Sequence, residues 1–104
     1  MKKRHKIITP VAGVLKKLGE DIRDARRRRN ITMALLAERA GINVLTMSKI
    51  EKGNAGVSIG GYASVLFSLG MIDRLHDIAD GRHDLTGQML VEERLPQRVR
   101  MRKI

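Results

Sequence analysis

The sequence predicts an all-α fold, and three observations carry that reading. Apolar residues recur at helical spacing, as in Val11, Val14, Leu15, Leu18, Ile22 and Ala25. Thr32, Asn43 and Ser58, all good N-caps, stand directly before such segments, while Gly41, Gly53 and Gly70 stand directly behind them. No strand of any length and no internal repeat is visible.

The first helix is expected to start with Thr9 as N-cap and Pro10 in the first turn, where a missing N–H costs nothing. Arg23, Arg26, Arg27, Arg28 and Arg29 crowd its far end, where cations favour the helix dipole. Gly13 and Gly19 weaken it, so a bent or frayed start is expected, and Asn30 ends it. Thr32 caps a second helix over 33–40, with Leu35, Leu36, Ala37 and Ala40 inward. It stops at Gly41, which can take the left-handed conformation of a tight turn. Asn43 caps a third helix over 44–52, stopped by Gly53. Ser58 caps a fourth over 59–69, stopped by Gly70. A fifth, over 72–79, aligns Ile72, Leu75 and Ile78. Residues 80–84 read as a turn. Thr86 is the expected cap of a last helix running to about Arg94 and stopped by Pro96, with an extended or disordered tail beyond. Short helices with short loops make a bundle. The expected organisation is a basic arm over 1–9, one helical domain over 10–80 and a C-terminal extension over 81–104.

Composition narrows the function classes. The chain has 104 residues, no Trp, one Phe (Phe67) and one Tyr (Tyr62), so its core must be aliphatic. A domain this small is marginally stable, and dimerisation would help it. With no cysteine there are no disulfides, thiolate metal sites or cysteine nucleophile, in keeping with a reducing interior. Net charge is +10, unevenly placed. Residues 1–30 hold eleven Lys/Arg against three Asp/Glu, residues 31–80 four against five, and residues 81–104 six against three. Basic ends on a neutral centre favour a polyanion, most often nucleic acid. The opening "MKKRHKIITPVAGVL" looks like an export signal, but its apolar part is short and runs straight into Lys16 and Lys17, so it reads as a helix start. Residues 53–72 carry no charge, yet hold five Gly, three Ser and an Asn, too polar for a membrane span.

The most informative stretch is "AERAGINVLTMSKIEKG", residues 37–53. Two short helices meet over a tight turn, as a helix-turn-helix requires. Gly41 supplies the positive φ, Ala37 the small residue at the crossing, and Ile42 the plug into the core. Met47 and Ile50 face inward on the third helix, leaving Asn43, Thr46, Ser48 and Lys49 as a short polar face of the kind that fits a major groove.

With its flanks, "LGEDIRDARRRRNITMALLAERAGINVLTMSKIEKG" resembles the phage-repressor-type (Xre, Cro/CI-like) helix-turn-helix family over roughly residues 14–79. The resemblance implies a five-helix, lambda-repressor-like DNA-binding domain and assigns roles by position. Asn43, Val44, Leu45, Thr46, Ser48 and Lys49 fall where the family reads bases. Thr32, Met33, Lys52, Asn54, Ala55 and Ser58 fall where phosphates would lie. Arg26 and Glu51 fall where a structural ion pair locks the third helix to the first. The sequence departs from the family where Met33, Val44 and Leu45 replace the usual polar residues. Val44 and Leu45 can touch thymine methyls but donate no hydrogen bond, which shifts affinity toward phosphates and DNA shape. Packing of either against a protein partner is the alternative.

The second half, "KIEKGNAGVSIGGYASVLFSLGMIDRLHDIAD" with "EERLPQRVR", resembles the HipB-like antitoxin branch. That likeness implies a homodimer on a near-palindromic double-stranded DNA operator, a HipA-like kinase toxin as protein partner, and a cytoplasmic, nucleoid-associated bacterial location. Residues 72–79 and 85–95 are the expected dimer contact, through Leu75, Ile78, Leu85, Leu90 and Val91. A stand-alone Xre-family regulator, or a protein-interaction module with DNA binding secondary, stays open beside it. No enzymatic role, cofactor, metal or membrane partner is expected. "GNAGVSIGG" lacks a following GK[ST]. His5, His76 and His83 lack a third ligand at metal spacing. Asp73, Asp77 and Asp80 are better placed to pair with arginines than to catalyse, and Met47, Met71 and Met89 stand at core spacing.

Overall fold

A computed structural model describes the backbone of residues 6–102 and the side chains of residues 6–94. It is all-helical, with no strand among the described residues. The helices are α1 (Thr9–Arg28), α2 (Met33–Ala40), α3 (Val44–Glu51), α4 (Ile59–Ser68), α5 (Ile72–His76) and α6 (Leu85–Arg102), with one 3₁₀ turn at Gly81–His83. The chain divides into two compact units, the first reaching Ile72 and the second starting at Asp73. No described residue from Asp73 onward is buried. Among the described residues no helix is long and apolar enough to cross a membrane.

The core of the first unit is aliphatic, as expected, except for Tyr62. Ile22 and Ala25 of α1, Leu36 and Ala37 of α2, Met47 and Ile50 of α3, and Tyr62, Val65, Leu66 and Leu69 in or next to α4 are all buried. The helix ends follow local chemistry. Thr32 Oγ1 accepts from Leu35 N–H at 3.0 Å, Asn43 Oδ1 from Thr46 N–H at 2.7 Å, and Ser58 Oγ from Gly61 N–H at 3.1 Å. Each side chain satisfies one of the donors that a helix start leaves unpaired. Asn30, at φ 59°, ends the turn after α1 in the left-handed region, which Asn tolerates better than most residues.

Helix α1 departs from expectation at its start. Ile8, not Thr9, occupies the cap position, no side chain caps it, and Thr9 is already helical. The helix is continuous from Thr9 to Arg28 despite its two glycines. Val11 and Val14 keep helical spacing but are exposed, because the buried positions of α1 are Gly19, Ile22 and Ala25. Its N-terminal turns outrun the core they were expected to face.

Gly19 has a role other than weakening the helix. A Cβ built there would meet Gly53 N and Ile50 O at 2.6 Å and Glu51 O at 2.8 Å. A Cβ on Gly53 would in turn run into the backbone of Leu15 and Lys16. The two glycines let the α1 backbone lie directly on the end of α3. Arg29 adds a second tie, donating to Ala25 O at 2.8 Å and to Leu69 O at 2.9 Å, so it joins the end of α1 to the end of α4.

The second unit differs more from expectation. Helix α5 stops at His76, and Ile78 is exposed. Asp84, not Thr86, caps α6, accepting from Gly87 N–H at 2.9 Å. The helix continues through Pro96 to Arg102 instead of stopping, so residues 97–102 are helical. A proline forfeits one backbone hydrogen bond, and intact turns can close on either side of it. Met71 is half-buried and Met89 is exposed, leaving Met47 as the buried one of the three expected in the core. Arg82 bonds Asp77 at 3.0 Å and Asp80 at 3.0 Å, so these two acids pair with an arginine, while Asp73 is exposed. The Arg82 side chain, and after it the Arg82 N–H that donates to Asp80 Oδ1 at 2.8 Å, hold the Asp80 carboxyl below its usual range. Most of the basic arm over 1–9, and the side chains of the basic residues at 98–103, lie outside the described residues.

Candidate nucleic-acid interface

The surface of interest grows from the turn between α2 and α3. Gly41 sits at φ 73° with open space around its Cβ position, so a residue is excluded there by conformation and not by room. Its N–H bonds Glu38 O at 3.1 Å, and Ile42 N–H bonds Ala37 O at 3.0 Å. That pair of bonds closes the end of α2 within two residues. Asn43 follows at once as the cap of α3.

Helix α3 then presents two unlike faces. Met47 and Ile50 are fully buried, and Glu51 is nearly so. Asn43, Val44, Leu45 and Lys49 are exposed, with Thr46 and Ser48 half-buried. Val44 and Leu45 lie outside the core, with 47% and 67% of their surface open. The residues expected to read bases are thus on the accessible side. Asn43 has one restriction: its carbonyl oxygen is engaged by Thr46 N–H, so its amide NH₂ is the group left to donate outward.

Thr46 and Lys49 meet Asn54 and Ser58 around an open cleft of about 350 Å³, which Val57 and Gly61 also line. Thr32 and Met33 do not line this cleft; they stand at the start of α2, Thr32 exposed and Met33 half-buried. Lys52, Asn54, Ala55 and Ser58 are exposed after α3. Thr32, Asn43 and Ser58 each spend an oxygen on capping, yet every capped helix keeps further free N–H groups in its first turn. Such groups attract phosphate oxygens.

The cleft's loop is fixed from below. Tyr62 Oη donates to Asn54 O at 2.7 Å, and Asn54 Oδ1 accepts from Gly56 N–H at 2.6 Å. Sequence reading did not find this brace, although the chain's one tyrosine four residues past the Ser58 cap was its signal. Burial pushes the Tyr62 phenol pKa up. With a raised folded value, its contribution is fully present below the unfolded pKa and is lost as pH rises through the folded one. Tyr62→Phe is expected to cost about 1 kcal/mol in denaturant unfolding at neutral pH. No change in midpoint would remove the brace from the account.

Arg26 and Glu51 hold α3 in place. Arg26 Nε donates to Glu51 Oε2 at 2.6 Å and Nη2 to Oε1 at 3.2 Å, while Nη1 donates to Ile31 O at 3.0 Å. Their side chains are only 12% and 6% exposed. The hydrogen bond to Glu51, above all, raises the Arg26 pKa further from neutrality. Of the five arginines at the end of α1, Arg26 and Arg29 are therefore engaged in holding the fold, while Arg23, Arg27 and Arg28 are exposed. No group of three or more His, Cys, Asp or Glu side chains that could hold a metal occurs among the described residues. No protein-family model, curated protein or solved structure matches the chain.

Proposed function

We propose that the chain is a sequence-specific DNA-binding repressor, with α2, the Gly41 turn and α3 acting as a helix-turn-helix. The observation that carries this is the division of α3. Its inner face is locked by Met47, Ile50 and the Glu51–Arg26 pair, while Asn43, Val44, Leu45, Thr46, Ser48 and Lys49 stand on the accessible side. In this reading α3 enters the major groove and those residues face base edges. Thr32, Met33, Lys52, Asn54, Ala55 and Ser58 take phosphates, helped by the free N–H groups at the helix starts. A two-fold dimer then fits a near-palindromic operator with half-site centres roughly 34 Å apart, or a multiple. The resemblance of the second half to HipB-like antitoxins extends the proposal to an autoregulating antitoxin paired with a HipA-like kinase toxin. One observation favours a protein-binding role beside DNA binding: Leu85, Met89, Leu90 and Val91 are all exposed.

The test is fluorescence anisotropy with a duplex from just upstream of the gene and a scrambled duplex, at two salt concentrations. A preference of at least about a hundredfold is expected. With about six to eight phosphates neutralised per dimer, the log–log salt slope is expected at about −5 to −7. A Thr46→Ala, Lys49→Ala double variant is expected to lose at least about tenfold of the preference. Equal binding of both duplexes by wild type and variant alike would sink the sequence-specific reading.

A further inference from the structure

Helix α4, Ile59–Ser68, has no charged residue on any face. It lies within the charge-free run over 53–72, in a chain that is 31% charged. Its inner face is the core face of Tyr62, Val65 and Leu66. Its outer face carries Ile59, Ala63 and Phe67, spaced by four residues and so aligned on one side of the helix. Ile59 is 74% exposed and Phe67, the chain's one phenylalanine, is 70% exposed. A helix apolar on both sides is one that is covered on both sides. Next to Phe67 lies an open cleft of about 330 Å³ whose lining includes Ala40, Ala63, Ser64 and Ile72, with Arg39 at hand.

We infer that this α4 face is where two copies of the chain meet. The knob and the hollow are on the same surface. A two-fold axis through it sets each Phe67 against the small residues of the other copy's cleft, which is the self-complementarity that a dimer interface demands. Charge points to the same occupant. Each chain carries +10, so two copies approach with less repulsion through a face whose helix holds no charged residue and whose cleft has Arg39 as its one charged lining residue. An acidic partner would find only Arg39 among the cleft residues to attract it. The ten-residue helix is about 15 Å long, so Ala40 and Ile72 at its flank must add contact area. The inference rests on the dimeric repressor reading only for its two-fold axis. It moves the contact from residues 72–79 and 85–95 to α4.

The experiment is sedimentation of the full chain without DNA. Wild type is expected at twice the 11.7 kDa of one chain. Phe67→Glu is expected to keep its helical circular dichroism, because Phe67 lies outside the core, and to raise the dimer dissociation constant at least about thirtyfold. A wild type that stays monomeric at high micromolar concentration overturns the inference. So does a Phe67→Glu chain that dimerises as tightly as wild type while Leu90→Glu dissociates. Should Phe67→Glu lose helicity, Ser64→Cys decides, since the natural chain has no cysteine. A disulfide-linked dimer on mild oxidation supports the α4 contact, and a monomer under the same conditions overturns it. A dimer formed in this way that binds no DNA would sink the repressor reading and leave this one standing.

Discussion

Gly19→Ala is expected to destabilise the first unit by about 3 kcal/mol or more, the upper end of what overpacking costs. The added methyl would sit 2.6 Å from Gly53 N and from Ile50 O, and 2.8 Å from Glu51 O. All three are backbone atoms, which cannot swing aside as the tip of a long side chain can. Either α1 lifts off the end of α3, or Gly53 leaves the φ of 73° that ends α3. For a domain of this size 3 kcal/mol corresponds to a fall in Tm of at least about 12 °C. Gly13→Ala, in the same helix, is the control. Nothing lies within 4 Å of its Cβ position, so alanine brings only better helix propensity. It should gain roughly 0.5 kcal/mol. Thermal unfolding followed by circular dichroism checks both. A Gly19→Ala chain melting within about 2 °C of wild type would mean that the two backbones do not approach so closely.

The same pair of glycines marks where sequence reading reached its limit. Propensity treats Gly13 and Gly19 alike, as weak points in a helix. What separates them is α3, which lies thirty residues further along the chain, and no local pattern in α1 announces it. The caps are the opposite case. Thr32, Asn43 and Ser58 bond a donor three residues ahead, and Gly41, Gly53 and Gly70 take positive φ to end their helices, so each signal is local and legible. Burial was less readable than periodicity. Val11 and Val14 lie on the helical spacing of Ile22 and Ala25, yet spacing gives a direction and not the extent of the body beneath it. In α6 the rule that proline stops a helix misplaced its end at Pro96. The accessible face of α3 was readable because Met47 and Ile50 fix its inner side and the remaining positions follow. The Tyr62 brace and the Arg29 tie were not, because each ends on a backbone carbonyl, and a sequence carries no mark of which carbonyl is within reach.

Arg26→Ala is expected to cost about 3 kcal/mol, the lower end for breaking a buried ion pair, because the Arg26 side chain keeps some contact with water. The loss has two parts. Glu51, 8% exposed, is left buried without its partner, and the Ile31 carbonyl loses the Nη1 donor that holds the chain leaving α1. Removing both partners should cost less than removing one, so Arg26→Met with Glu51→Leu is expected to melt above Arg26→Met alone. That ordering separates an ion pair from simple packing, in which the second truncation would add to the first. The Arg26 pKa is raised, so its contribution is complete below the unfolded arginine value and is lost only in strong alkali. The gap between wild type and Arg26→Ala should then stay constant over roughly pH 6 to 9. The pair lies on the inner side of α3, away from the residues proposed to read bases. Well below its own Tm, Arg26→Ala should therefore keep the operator preference of wild type, with thermal stability as the property that falls. Loss of that preference in a variant still folded by circular dichroism would mean that Arg26 and Glu51 set the aim of α3 as well as its stability.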